Sequence, residues 1–482
     1  MVMRRITAAM IAGLMLTATP QAMATPDPVD DGINVGHYSV DLNYRPSTDV
    51  LSGVTTILST ATRDLAQFDL KFLLKVSSVS VNNEPATYSV KDGKLSITPK
   101  KPLANGADMI VVVRYSDTPG ARDDGLGFGW LRTPTGAVAV GSPAYWYPSA
   151  VDQADQATLD LSAVVPTGVE VITNGVLKFD GPLPAPGGDK WQWRNDRPGP
   201  SNASLLAIGQ YDLKISKAPN GQQVVNAYSA DLGALDSPAR AAIERTPEIV
   251  NMLSHWFGPY PYNAQGGLVD SKFFNVVATT SRPIYKSGVF ETDWNSSVVA
   301  HENAHQWYGN VVNPLGNGTR WLGEAFATYA EFLWSQQEGL GTAAELAQYY
   351  YDKFPADHPD WKAPPTNPDP TSSSAFPIYT RGAIALQALR TEVGDETFFR
   401  ILRNWAAEQK PDTAPTTEEF TALAERVSGK DLKELFHAWL YAPERPAVGP
   451  NGPTTARSTV KPLSYDTVTA NAQRFAAAKH HM

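Results

Sequence analysis

The 482-residue chain contains no cysteine. That excludes disulfides and a lipid-modified anchor cysteine, so stability has to come from burying apolar surface, which a chain this long can supply. Basic residues are in deficit: 40 Lys and Arg stand against 49 Asp and Glu, a formal net charge of −9. This balance gives no electrostatic case for binding nucleic acid or an anionic membrane. Apolar runs of membrane-spanning length are also missing. The nearest, Ile6 to Thr19, follows Arg4-Arg5 and precedes Ala22-Met23-Ala24. That layout is a secretory signal peptide, residues 1–24, whose cleavage leaves no membrane span. Cleavage removes Arg4 and Arg5 and no acid, so the exported protein, extracellular or periplasmic, is expected to be more acidic still. No internal repeat is visible. Histidine is scarce too, at eight residues, so a closely spaced pair stands out.

Composition changes twice along the chain. Within a first domain expected over 25–215, residues 35–215 are rich in Val, Thr, Ser and Gly and alternate apolar with polar side chains, as in His37 to Tyr44 and Leu159 to Val165. Turn dipeptides such as Asp92-Gly93 and Asn174-Gly175 punctuate these runs, the pattern of an antiparallel β domain. A mainly α-helical domain is expected over 216–445. There Thr342-x-x-Glu345 and Thr416-x-x-Glu419 read as capping boxes, with Gly309, Gly339 and Gly394 as helix stops. The expected fold class is therefore α+β. Residues 446–482 turn Pro-, Thr- and Ala-rich and end Lys479-His480-His481-Met482, which reads as a disordered tail.

The densest chemistry lies in His301-Glu302-Asn303-Ala304-His305, with Glu324 after a gap of eighteen residues. Histidines four apart on a helix lie one turn above each other, so both imidazoles can reach one metal ion. Glu324, on a second helix, offers a third ligand. Two His and one Glu leave a coordination position open, which is the set of a catalytic zinc site and not a closed structural one. Glu302, beside the first ligand, is angled towards water at that position and reads as a general base. A buried structural histidine pair is the competing reading. The apolar flanks Val298-Val299-Ala300 and Trp307-Tyr308 favour chemistry, because a buried Glu302 is costly without a cation near it.

His301 to Asn310 (HENAHQWYGN) resembles the zinc helix of the aminopeptidase N family of gluzincin metallopeptidases, and the gap to Glu324 is that family's gap. Trp321 to Glu331 is similar to its Trp-Leu-Asn-Glu-Gly-Phe-Ala segment, and Tyr379-Thr380-Arg381-Gly382-Ala383 to its Tyr-x-Lys-Gly-Ala. Trp146-Tyr147-Pro148-Ser149 and Thr173-Asn174-Gly175 resemble landmarks of its N-terminal β domain. The resemblance implies a thermolysin-like catalytic domain, peptide substrates and one zinc ion on His301, His305 and Glu324. It further implies Glu302 as the base and Tyr379 as a donor to the tetrahedral intermediate. Glu331, seven residues after Glu324, is placed to orient an imidazole from behind. Trp321, Phe326 and Tyr329 read as packing. Larger members of the family carry a further helical domain, so a more open cleft is expected here.

One departure bears on specificity. The family's Gly-Ala-Met-Glu-Asn motif supplies a glutamate that holds the substrate's free α-amine. The corresponding place here reads Gly266-Gly267-Leu268-Val269-Asp270, with Val269 where the carboxylate belongs and Asp270 one position away. The expected activity is a secreted zinc aminopeptidase. A zinc endo- or oligopeptidase of the same fold and a catalytically silent envelope binding protein are the alternatives.

Overall fold

The computed structural model describes residues 31–122, 129–291, 295–369, 372–410, 412–453 and 460–478; the expected signal peptide, 1–24, lies outside them. The N-terminal unit is built on long strands whose alternation puts one face in the core. β1 (Ile33–Arg45), β2 (Val50–Ala61), β3 (Asp108–Asp117), β4 (Gln156–Val165) and β5 (Gly188–Pro200) form the middle of a nine-stranded sheet, in the spatial order β5-β4-β1-β2-β3. Their pairing is antiparallel except that β1 and β4 run parallel, with His37 opposite Thr158. The buried face carries Tyr38, Leu42, Ile57, Val113, Leu161 and Trp193. Trp146 and Tyr147 pack edge to face beneath it, and Tyr38 Oη accepts from the Ala150 amide.

A second, six-stranded sheet belongs to the C-terminal unit. It contains β6 (Tyr211–Lys217), β7 (Gln223–Ser229), β8 (Leu268–Asp270), β9 (Val276–Val277) and β10 (Ile284–Lys286), in the order β6-β7-β8-β10-β9. Its first strand starts at Tyr211, ahead of the boundary expected at 216. Behind it lie the helices, among them α1 (Ser296–Ala304), α2 (Trp321–Gln337), α3 (Gly382–Val393) and α4 (Tyr465–Ala478). Both capping boxes form, at Thr342–Glu345 and Thr416–Glu419. α1 and α2 are buried nearly all round, enclosed on all sides by the rest of the unit.

α4 corrects one expectation. Residues 465–478, read as part of a disordered tail, form a helix. Tyr465, Val468, Ala472, Phe475 and Ala476 are buried on one face of it, the spacing of an amphipathic helix docked on a core.

The two units are joined by buried polar groups. Asn174 donates to the Ala203 and Thr280 carbonyls and accepts from the Leu205 amide, and the Gly175 amide donates to Ser281 Oγ. Arg282, fully buried, donates to the carbonyls of Thr173, Gly175 and Val225. Burial with no carboxylate against it pushes its guanidinium down to about 9. The sequence landmark Thr173-Asn174-Gly175 thus ties the two units together.

One buried carboxyl of the β unit carries a measurable cost. Asp155 is 6% exposed, and its Oδ2 accepts from the Val35 amide at 3.1 Å. Burial, with Asp412, Asp31 and Asp152 nearby, pushes its pKa up to about 8. A carboxyl that is neutral when folded but ionised when unfolded makes stability fall as pH rises from about 4 to about 8. Asp155→Asn keeps an acceptor for Val35. It should raise the melting temperature at pH 8 and flatten that pH slope, read by thermal unfolding at several pH values; an unchanged slope would remove Asp155 as its source.

Candidate metal centre

α1 carries His301 and Glu302 and ends at Ala304; His305 is the next residue, and its amide still bonds the His301 carbonyl at 3.3 Å. The i, i+4 relation therefore survives the end of the helix, and the two rings lie with centroids 4.9 Å apart. Glu324 stands in the first turn of α2, which packs across α1. Its Oε2 lies 3.5 Å from Nε2 of both His301 and His305. The ligand atoms of these three side chains all fall within 4.8 Å of one another, the one such group among the described residues.

Whether the group suits a cation is decided by the far side of each ring. His305 Nδ1–H donates to the Tyr308 carbonyl at 2.8 Å, and His301 Nδ1–H to Glu331 Oε1 at 2.9 Å. Both acceptors fix the tautomer with the Nε2 lone pair turned to the common point, as a metal-ligating histidine requires. Burial disfavours charge on His301, yet Glu324 and Glu331 outweigh it and push its pKa up to about 10. A cation is the natural occupant of such a place. Two neutral imidazoles and a carboxylate fit one zinc ion.

Glu302 is 3% exposed, and burial pushes it up to about 7 against the pull of His301 and His305. Tyr379 is fully buried in a wide helical turn, Phe376–Arg381. Burial and then the charge of Glu324 hold its phenol well above its ordinary value, so it stays a proton donor. Both side chains line one cavity of about 260 Å³ together with His301, His305 and Glu324. All five residues singled out from the sequence therefore meet in one place, and so does Glu331 behind His301.

The remaining residues of the motif hold this place together. Gln306 Oε1 accepts from the Ser281 amide at 2.7 Å and its Nε2 donates to the Thr279 carbonyl, tying α1 to the turn that pins the two units. Asn310 donates to the Ala278 carbonyl beside β9. Gly309 has φ +143°, and a Cβ there would meet His305 Nδ1 at 2.8 Å. At Gly382 a Cβ would approach that of Ala325 to 2.5 Å, so the absence of a side chain lets the Tyr379 turn sit on α2. Arg381, buried where the family pattern has Lys, donates to the carbonyls of Trp361, Ala438, Trp439, Ala442 and Glu444. These five bonds clamp the turn that presents Tyr379.

The amine-anchor position is corrected. Val269 is fully buried in β8, an interior strand, and does not face the cavity. Asp270 accepts from Tyr211 Oη and from the Lys272 and Phe273 amides, capping a turn beside a different cavity. The edge strand along the cleft is β9, and Asn275 to Ala278 line it. Sequence reasoning also passed over Arg320, Asn202 and Phe475, which line the cavity. Arg320 alone had a local signal, its i, i+4 spacing to Glu324, where Nε and Oε1 are 3.7 Å apart.

Residues 282–439 match the model of the Peptidase family M1 domain. An aminopeptidase N of Streptomyces lividans is 27% identical over 308 residues, 59% of this chain and 35% of that one. An aminopeptidase N of Lactococcus lactis is 28% identical over 276 residues, 51% of this chain and 31% of that one. The chain spans about a third of the length of these curated relatives. Among solved structures, an M1 zinc metallopeptidase from Deinococcus radiodurans matches with a TM-score of 0.74 at 23% identity, covering 91% of this chain and 97% of that one. A mutant of it bound to a Tyr-Ser-Ala substrate matches at 0.72 and 23%, covering 90% and 96%. Residues 282–439 therefore resemble a Peptidase family M1 domain, the chain is similar to two aminopeptidases N over about half its length, and its two-part fold is that of the Deinococcus structures.

Proposed function

We propose that this chain is an exported zinc-dependent peptidase that releases residues from the amino ends of peptides. The observation that carries the reading is the convergence of His301, His305 and Glu324 beside Glu302 in an open cavity. The names of the curated relatives and the Tyr-Ser-Ala ligand of the Deinococcus protein support a peptide substrate. Export rests on the reading of residues 1–24.

His301, His305 and Glu324 would hold the ion, which supplies Lewis acidity for a peptide carbonyl and for water. Glu302 takes the proton of the attacking water and passes it to the leaving amine; a pKa near neutrality suits both transfers. Tyr379 donates its hydroxyl to the carbonyl oxygen as charge gathers there, a contribution of about 2.5–4 kcal/mol for one such donor. Arg381, by clamping the turn, keeps that hydroxyl from swinging away.

A second reading, an oligopeptidase, is favoured by one feature. The carboxylates lining the cavity, among the described residues, are Glu302 and Glu324, and both are engaged in the reaction proposed. A second cavity of about 510 Å³, lined by Lys71, Ser142 and Gln153, shares Asn202 with the first, so a peptide could extend past the cleavage point.

Glu302→Gln should keep one zinc per chain and lose about a hundredfold or more in kcat. His305→Ala should lose the metal on dialysis. Zinc retained by wild type should fall as the solution is acidified, because protons compete with the ion for both imidazole nitrogens. Near-normal turnover by Glu302→Gln would refute its role as base. The two specificities separate on one peptide offered free and N-acetylated. An aminopeptidase loses nearly all kcat/KM on acetylation, and equal rates would establish the oligopeptidase.

A further inference from the structure

α4 lies far along the chain from the motif helices, yet two of its side chains reach the metal centre. Asn471 is fully buried and donates from Nδ2 to Glu331 Oε2 at 2.8 Å. Its amide orientation is set by chemistry: the carboxylate can only accept, and Asn471 Oδ1 accepts from Arg474 Nη1 at 3.3 Å. Glu331, also fully buried, takes Ser297 Oγ at 2.6 Å on the same oxygen and His301 Nδ1–H on the other. One turn further along α4, the Phe475 ring stacks on His301 with centroids 4.2 Å apart and planes at 28°, and on Tyr379 at 6.0 Å and 26°.

We infer that α4 is a working part of the catalytic site, in which Asn471, through Glu331, and Phe475, by stacking, are positioning residues for the His301 imidazole. The inference rests on the proposed zinc-peptidase reading and extends it. Glu331 is a buried carboxylate held by three donors, and its orientation sets that of the His301 ring. Removing the Asn471 amide leaves Oε2 with Ser297 alone and frees the carboxylate to rotate. Phe475 restrains the same ring from its open face, so His301 is held at its Nδ1 edge and across one π face. Two other polar contacts of the segment have a different purpose. Thr469 Oγ1 meets Tyr350 Oη at 2.8 Å and Ser464 Oγ meets Ser335 Oγ at 2.7 Å, both docking the helix without touching Glu331 or a ligand. That separation allows positioning to be told apart from simple docking.

The test measures zinc release from the full-length, zinc-loaded protein to a chromogenic chelator, alongside thermal unfolding. Groups that orient a metal ligand change metal affinity by roughly 10- to 100-fold. Asn471→Leu should therefore release zinc about tenfold faster or more, and Asn471→Asp, which sets a second carboxylate against Glu331, should do the same. Phe475→Ala should speed release on the order of fivefold, the scale of one aromatic contact. Thr469→Val, a docking variant, should lower the melting temperature while releasing zinc within about twofold of wild type. Release at the wild-type rate from both Asn471 variants would overturn the inference, as would equal acceleration in Thr469→Val. A wild type that binds no stoichiometric zinc would overturn the zinc-peptidase reading and this one with it.

Discussion

Everything at this site depends on placing several ionisable groups in the protein interior at once. His301, Glu302 and Glu331 are each 3% exposed or less, within a largely apolar and aromatic core. Each charge taken from water costs several kcal/mol unless partners replace the lost hydration. Glu331 is satisfied by Ser297, Asn471 and His301, and His301 is set between Glu331 and Glu324. A divalent cation at the common point would complete this balance, which is why the donor set and the burial together point to a metal. An unfilled cluster of this kind would be a liability in so apolar a core.

The same logic explains the scaffold. Two arginines, Arg282 and Arg381, are buried against carbonyl oxygens and not against carboxylates. Carbonyls satisfy the guanidinium donors without adding a negative charge that would compete for a metal close by. Arg282 ties the β unit to the turn that Gln306 holds, and Arg381 fixes the turn that carries Tyr379. Each end of the cleft is therefore locked by a multidentate cation, and the rigidity this provides is what a preorganised site requires.

Much of the site was legible because its residues are local in the chain. The i, i+4 histidines, the fixed gap to Glu324 and the i, i+7 step to Glu331 follow from helix geometry, which short-range spacing records well. The capping boxes and the alternating strands were legible for the same reason. The amine-anchor strand was not. β8 and β9 are three and two residues long, too short for alternation to say which is interior and which lies at the edge, and the glycine pair at 266–267 drew the assignment to the wrong one. α4 was missed because the Pro- and Thr-rich segment before it suggested disorder. Yet Tyr465, Val468, Ala472 and Phe475 already keep a helical spacing, and what the helix docks on, including His301, Glu331 and Tyr379, lies far away in sequence.

The central claim is that one zinc ion is held by the Nε2 atoms of His301 and His305 and a carboxylate oxygen of Glu324, with Glu302 outside the coordination sphere. X-ray absorption at the zinc edge on wild type and on Glu302→Gln addresses it directly. Both proteins should give the same spectrum, with two imidazole nitrogens and oxygen donors at about 2.0–2.2 Å. A spectrum that changes on replacing Glu302, or one that lacks the two-imidazole signature, would contradict it.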